Sequence, residues 1–134
     1  MQINIPKIVK RIELKNYAPE FGEAALEVWV NPPGKLLDLL RAAKKRVYDL
    51  DIPKRKLEPN EKAMIEKVIQ ESWNDQAGLY AQLLSQGSEE TRLGVGELNR
   101  MVEETAETDP MFWGWLQAEI VEMINAHRFS AKKG

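Results

Sequence analysis

Apolar and polar residues alternate in two short stretches near the N-terminus. In RIELKNY, Ile12 and Leu14 alternate with Arg11, Glu13 and Lys15. In LEVWV, Leu26, Val28 and Val30 alternate with Glu27 and Trp29. A period of two marks a strand with one buried face. The intervening NYAPEFGEAA holds Pro19 and Gly22, which favour a loop. The pattern predicts two antiparallel strands joined by a long loop. A lone hairpin is marginal in water, so these strands should lie on helices or join another chain's sheet.

After Asn31-Pro32-Pro33 the apolar spacing becomes helical. Asn is a good N-cap and Pro suits the first helical turn. A helix is predicted from about Pro33 to about Leu50, with Leu36, Leu39, Leu40, Ala43, Val47 and Leu50 on one stripe. DLDIPKRKLEPN reads as a charged connector. Pro59 starts a long helical stretch through about Ser85, in which Met64, Ile65, Val68, Ile69 and Ser72 share a face continued by Leu79, Tyr80 and Leu83. Asn74, Asp75 and Gly78 leave one bent helix or two helices open. Gly87 reads as the C-terminal stop. After the loop SEETRLGVG, the residues Val95, Leu98, Met101, Val102 and Thr105 predict a short amphipathic helix. Thr108-Asp109-Pro110 then caps a last helix from Pro110 to about Arg128, and SAKKG should fray. The expected class is α+β, mainly α: an N-terminal β-hairpin packed on a bundle of four to five helices. It is read as a single domain over 1–134, with a hairpin region at 1–31, a helical body at 32–128 and a frayed tail at 129–134.

Composition narrows the chemistry. The chain is 134 residues long, 43% hydrophobic and 30% charged, which suits one folded domain rather than a disordered chain. No apolar run approaches a membrane span, and the N-terminus lacks the h-region and cleavage site of a secretion signal. Cys is absent, which removes disulfides, thiolate metal sites and Cys nucleophiles and suits a reducing cytosol. His127 is the only histidine, so a multi-histidine metal site is impossible. No serine sits in a G-x-S-x-G elbow. Gly94-Val95-Gly96 lacks the third glycine and the preceding strand of a dinucleotide fingerprint, and reads as a turn. The carboxylate pairs Glu103/Glu104 and Glu119/Glu122 fall in ordinary solvated helix patterns. No catalytic, cofactor or metal site is expected, and the chain is read as a non-enzyme.

The remaining candidates are partner-binding residues. At about 100° per residue, Phe112, Trp113, Leu116, Ile120, Met123, Ile124 and His127 share one broad face of the last helix, so Trp113 is expected in the core. Trp115 falls off that stripe beside Met111. An exposed Trp–Met pair at i and i+4 suits a partner patch, and a second internal contact with the N-terminal strands is the alternative. Trp29 lies on the polar face of its strand, where it either packs inside a two-sided strand or anchors a partner. Trp73 falls at the edge of its helix's stripe and is expected in the core. Arg41, Lys44 and Lys45, with Arg46, form a basic stripe. A solvated face, a phosphate-binding face and an acidic protein partner are all consistent with it. Net charge is −2, against broad attraction to nucleic acid. The later acidic run of Glu89, Glu90, Glu97, Glu103, Glu104, Glu107 and Asp109 is a candidate partner for the basic middle of another copy, which would give head-to-tail self-association.

The order of these elements carries a resemblance. RIELKNYAPEFGEAALEVWVNPPGKLLDLLRAAKK places two strands directly before an amphipathic helix, and LNRMVEETAETDPMFWGWLQAEIVEMI closes the chain with a DP-initiated helix. In layout, over most of its length, the chain resembles the tail assembly chaperones of long-tailed bacteriophages and prophages. The resemblance implies a non-enzymatic protein that binds the tape-measure protein, promotes assembly of the tail tube protein around it, and tends to self-associate. It implies action in the host cytoplasm and absence from the mature virion. It also implies a longer form made by ribosomal frameshifting, for which an A-rich run encoding Lys132-Lys133-Gly134 is the candidate site; a gene without a slippery heptamer there removes that idea. The rivals are a nucleic-acid-binding regulator using the basic stripe and another phage head–tail structural factor that stays in the particle.

Overall fold

Prolines and changes of apolar period set the element boundaries. The computed structural model describes residues 3–133; Met1, Gln2 and Gly134, the last residue of the candidate frameshift site, lie outside the described residues. Strands β1 (Val9–Glu13) and β2 (Ala25–Trp29) are followed by helices α1 (Gly34–Tyr48), α2 (Pro59–Leu84), α3 (Val95–Thr108) and α4 (Met111–Lys133). The class is α+β and mainly α, with the two-stranded antiparallel hairpin at the N-terminus.

The chain divides into two compact units. One comprises Met1–Pro32 with Ala81–Gly134, the other Pro33–Tyr80, so the division falls within α2. In the first unit the hairpin register pairs Val9 with Trp29 and Ile12 with Leu26. Val30 N–H donates to Ile8 O at 2.9 Å and Leu14 N–H to Ala24 O at 3.1 Å. The ladder bonds of an antiparallel pair fall on alternate residues. Ile8, Lys10, Ile12 and Leu14 therefore bond across to β2, whereas Val9, Arg11 and Glu13 turn their N–H and C=O groups away from it. The apolar positions expected from alternation, namely Ile12, Leu14, Leu26, Val28 and Val30, are all buried. They share the core of this unit with Ala81, Leu83, Leu84, Leu98, Phe112, Leu116, Ile120 and Ile124. α4 lies beside both β1 and α3.

The loop between the strands is built from two 3-10 turns, Leu14–Asn16 and Pro19–Phe21. The second ends at Gly22, whose φ of 61° a side chain would disfavour. Gly87 has a different reason to be glycine. A Cβ there would sit 2.7 Å from Glu27 Cβ and 2.7 Å from Thr91 Oγ1, because the loop after α2 is pressed against β2. Ser88 N–H donates to Glu27 Oε2 at 2.6 Å in the same contact.

In the second unit α2 begins at Pro59 and its helix passes Asn74, Asp75 and Gly78 without a break. Leu36, Leu40 and Ala43 of α1 and Ser72, Ala77 and Tyr80 of α2 are buried. Ser72 is polar, and its hydroxyl donates to Ala43 O at 2.5 Å, which satisfies it. The connector is held by Arg55, which grips Glu61 with two guanidinium bonds of 2.8 and 2.7 Å. That bond first, then the Glu58 N–H, holds the Glu61 carboxyl below the usual range.

Some expected core positions are not core. Leu39, Met64, Ile69 and Val95 are exposed, and Trp73 is half-buried. At about 100° per residue, Met64 and Ile69 flank the line through Ile65, Val68 and Ser72 on opposite sides, and only that narrower line turns inward. α4 runs to Lys133 rather than stopping near Arg128. Ala131, Lys132 and Lys133 are strong helix formers, and no Gly or Pro interrupts them before Gly134.

Candidate functional site

The six candidate residues fall in both units. In the first, Asp109 organises the start of α4. Its Oδ1 accepts from Met111 N–H at 3.2 Å and its C=O accepts from Phe112 N–H at 3.1 Å, so it acts as the helix cap that Asp-Pro promises. Its own N–H donates back to Thr105 O at 2.7 Å and closes α3. Its second oxygen, Oδ2, accepts from Tyr17 O–H at 2.5 Å. That bond, followed by desolvation and the Asp109 charge, raises the Tyr17 phenol above its ordinary value.

Tyr17 comes from the loop between the strands, and an aromatic cluster forms around it. Its ring meets Phe112 edge-on at 5.3 Å and Trp115 at 5.2 Å. Phe21, from the second 3-10 turn, stacks on Phe112 at 5.4 Å, and Phe112 stacks on Trp115 at 6.0 Å. Trp115 is thus half-buried in an internal cluster and not an exposed patch residue. The ring is long enough to reach the loop from the flank of the core stripe. Trp113 is half-buried as well, not fully in the core; the buried line of α4 is Phe112, Leu116, Ile120 and Ile124, and Met123 and His127 flank it. Met111 remains outside this cluster and is 76% exposed. Tyr17 and Phe21 were missed by periodicity. Their only signal is a pair of aromatics spaced by four in an otherwise polar loop.

Trp29 closes β2 and is half-buried. Lys7 places its ammonium 4.8 Å from the ring centre and donates to Gln86 Oε1 at 2.7 Å. The indole N–H is buried and has no hydrogen-bond partner among the described residues. Trp29 is therefore neither a free anchor nor a fully satisfied core residue.

In the second unit the basic stripe is largely neutralised in place. Arg41 pairs with Asp38 at 3.0 Å, Lys45 with Asp49 at 2.5 Å, and Arg46 with Asp75. Lys44 leaves the polar face: it is half-buried with its ammonium 5.3 Å from the centre of the Tyr80 ring. Burial pulls its ammonium below the ordinary lysine value. Burial likewise pushes the Tyr80 phenol up. The same unit displays apolar side chains to solvent. Leu39 and Tyr48 on α1, Ile52 in the connector, and Met64 and Ile69 on α2 are all exposed, Tyr48 at 82% and Met64 at 69%.

Among the described residues no group of three or more His, Asp or Glu side chains is placed to hold a metal ion, and no helix is long and apolar enough to cross a membrane. No family model, curated protein or solved structure matches the chain.

Proposed function

We propose that the protein is a phage or prophage tail assembly chaperone that holds the tape-measure protein in assembly-competent form while tail tube protein is added. The observation that carries this reading is the set of exposed apolar side chains on the α1–α2 unit, Leu39, Tyr48, Ile52, Met64 and Ile69. They sit among charged residues such as Lys62, Glu66, Lys67 and Glu71. Exposed apolar side chains set among charged ones suit an elongated helical client whose own apolar stripe needs cover, and long flexible Met side chains adapt to such a client. The other unit also exposes apolar side chains, Met111, Ile3, Ile5 and Phe129 among them. The reading is non-enzymatic and places the protein in the host cytoplasm during assembly and outside the finished virion.

The basic-stripe rival is disfavoured by the ion pairs of Arg41, Lys45 and Arg46 and by the half-burial of Lys44. A phosphate-binding face needs cations free to replace counterions.

The experiment is co-expression with the tape-measure protein of the same phage or prophage. The soluble yield of that protein should rise, and the complex should persist in high salt because apolar contacts are not screened. Unchanged solubility would sink the proposal. Mass spectrometry of purified virions separates it from a head–tail structural factor, which would remain in the particle.

A further inference from the structure

We propose that β1 pairs edge to edge with β1 of a second copy of the chain, antiparallel, about a two-fold axis at Ile12. The starting observation is an open sheet edge. The sheet has only two strands, and Val9, Arg11 and Glu13 point their backbone N–H and C=O groups outward. Among the described residues, Val9 and Arg11 have no backbone hydrogen-bond partner on this side. Glu13 keeps its N–H open, while its C=O already caps the 3-10 turn Leu14–Asn16 by accepting from Asn16 N–H. An unpaired edge is a template for another strand. β1 is the more accessible of the two edges: Lys10 and Arg11 are exposed, whereas every residue of β2 is buried or half-buried. β2 also carries the Gly87–Ser88 loop on Glu27. No proline or bulge interrupts VKRIE, so the charges of Lys10 and Arg11 are what guard this edge.

The charges select both the occupant and the register. Outward-pointing residues must face one another, which allows three nearby antiparallel registers. Centring on Lys10 sets two lysines opposite each other, and centring on Arg11 sets two arginines opposite each other. Like charges directly across a strand pair are destabilising. Centring on Ile12 sets Arg11 opposite Glu13 of the partner subunit, and the reverse. Each copy already holds Arg11 and Glu13 side by side at 2.8 Å. Two such pairs, laid antiparallel, give four charges of alternating sign. The edge is thus complementary to itself, as an isologous contact requires. Arg11 and Lys10 repel a basic strand but accept one that presents Glu13. In this register each Glu13 N–H donates to the C=O of Arg11 of the partner subunit. Each Arg11 N–H meets the remaining lone pair on the C=O of Glu13 of the partner subunit, and the hairpins merge into a four-stranded sheet. Ile12, on the apolar face, meets Ile12 of the partner subunit. The proposal does not depend on the chaperone reading and stands or falls separately from it.

The test uses the full chain and sedimentation equilibrium over a concentration series up to about 1 mM. The wild type should approach twice its 15.4 kDa mass. Arg11→Glu alone and Glu13→Arg alone each set like charges across the axis, and each should raise the dissociation constant about tenfold or more. An equimolar mixture of the two variants restores opposite charges at both positions and should form heterodimers, an outcome that changes within a single chain cannot produce. If either variant fails to fold, amide exchange in the wild type decides: the Arg11 and Glu13 N–H groups should gain protection as concentration rises. A chain monomeric throughout the series would overturn the proposal, as would a dimer indifferent to both variants, a mixture that stays monomeric, or exchange at Arg11 independent of concentration.

Discussion

Asp109 serves three chain segments with one residue, ending α3, capping α4 and receiving Tyr17. Its role as a cap was legible in Thr108-Asp109-Pro110. Its bond to Tyr17 was not, because the two lie 92 positions apart and no local period links them. The same separation hid the surroundings of Trp115: a helical wheel places it off the core stripe, but cannot say that a loop returns to cover it. Trp115→Ala should therefore cost about 2–3 kcal/mol in denaturant unfolding, short of the roughly 3–5 typical of a fully buried aromatic, whereas Met111→Ala should stay within about 0.5. Equal stability of the two variants would place Trp115 outside the cluster. The raised Tyr17 phenol has a pH consequence. A group whose proton is held more tightly in the folded state contributes stability that is present below its unfolded value of 10.0 and is lost as pH rises through the higher folded value. Tyr80 acts in the same direction. Unfolding midpoints should fall in the alkaline range, and Tyr17→Phe should flatten part of that fall. An identical alkaline slope in the variant would remove Tyr17 from the account.

At the scale of elements, alternation located both strands with their inward residues, and Pro33, Pro59 and Pro110 marked three helix starts within a residue or two. Period and proline are local signals, so they survive without tertiary information. The breadth of a buried face is not local. It depends on how much of each helix a neighbour covers, which is why Met64 and Ile69 share a stripe in sequence and lie exposed in the structure. The loop after α2 gives a sharper case. Gly87 was legible as a stop signal, but its reason is the approach of Glu27, not a left-handed backbone. Gly87→Ala must push the Glu27 side chain aside at its Cβ, and overpacking of this kind costs about 1–3 kcal/mol. Thermal unfolding should show the loss, and Glu27→Gly on the same chain should recover part of it by clearing the space. A neutral Gly87→Ala would mean that the loop moves freely off β2.

At the scale of the molecule, the α1–α2 unit presents exposed apolar side chains while Arg41, Lys45 and Arg46 are paired in place. Composition signalled a basic middle, yet the acidic partners of Arg41, Lys45, Arg46 and Arg55 are spread along the same segment and neutralise them in place. Such surface pairs add little stability, on the order of 0–1 kcal/mol each. Met64→Glu should consequently leave the melting curve almost unchanged while lowering capture of the tape-measure protein in a pull-down. Equal capture by Met64→Glu and wild type would move the client surface away from α2. The sequence marks the division only as a possible bend at Asn74, Asp75 and Gly78, and α2 crosses it without a break although its charged residues end at Asp75.

That division bears on how the chain comes off the ribosome. The unit holding the hairpin is discontinuous: Met1–Pro32 is made first, Pro33–Tyr80 follows, and Ala81–Gly134 arrives last. The α1–α2 unit has all its residues available early and can settle while synthesis continues. The hairpin cannot: Phe112, Trp115 and Asp109, which receive its loop, do not yet exist when its strands emerge. A two-stranded hairpin without its helices is marginal in water, and closing the intervening segment carries an entropy cost that only late contacts repay. For most of translation the nascent chain thus presents an unanchored pair of strands, and the contacts that anchor them form only when α4 returns to a segment made long before.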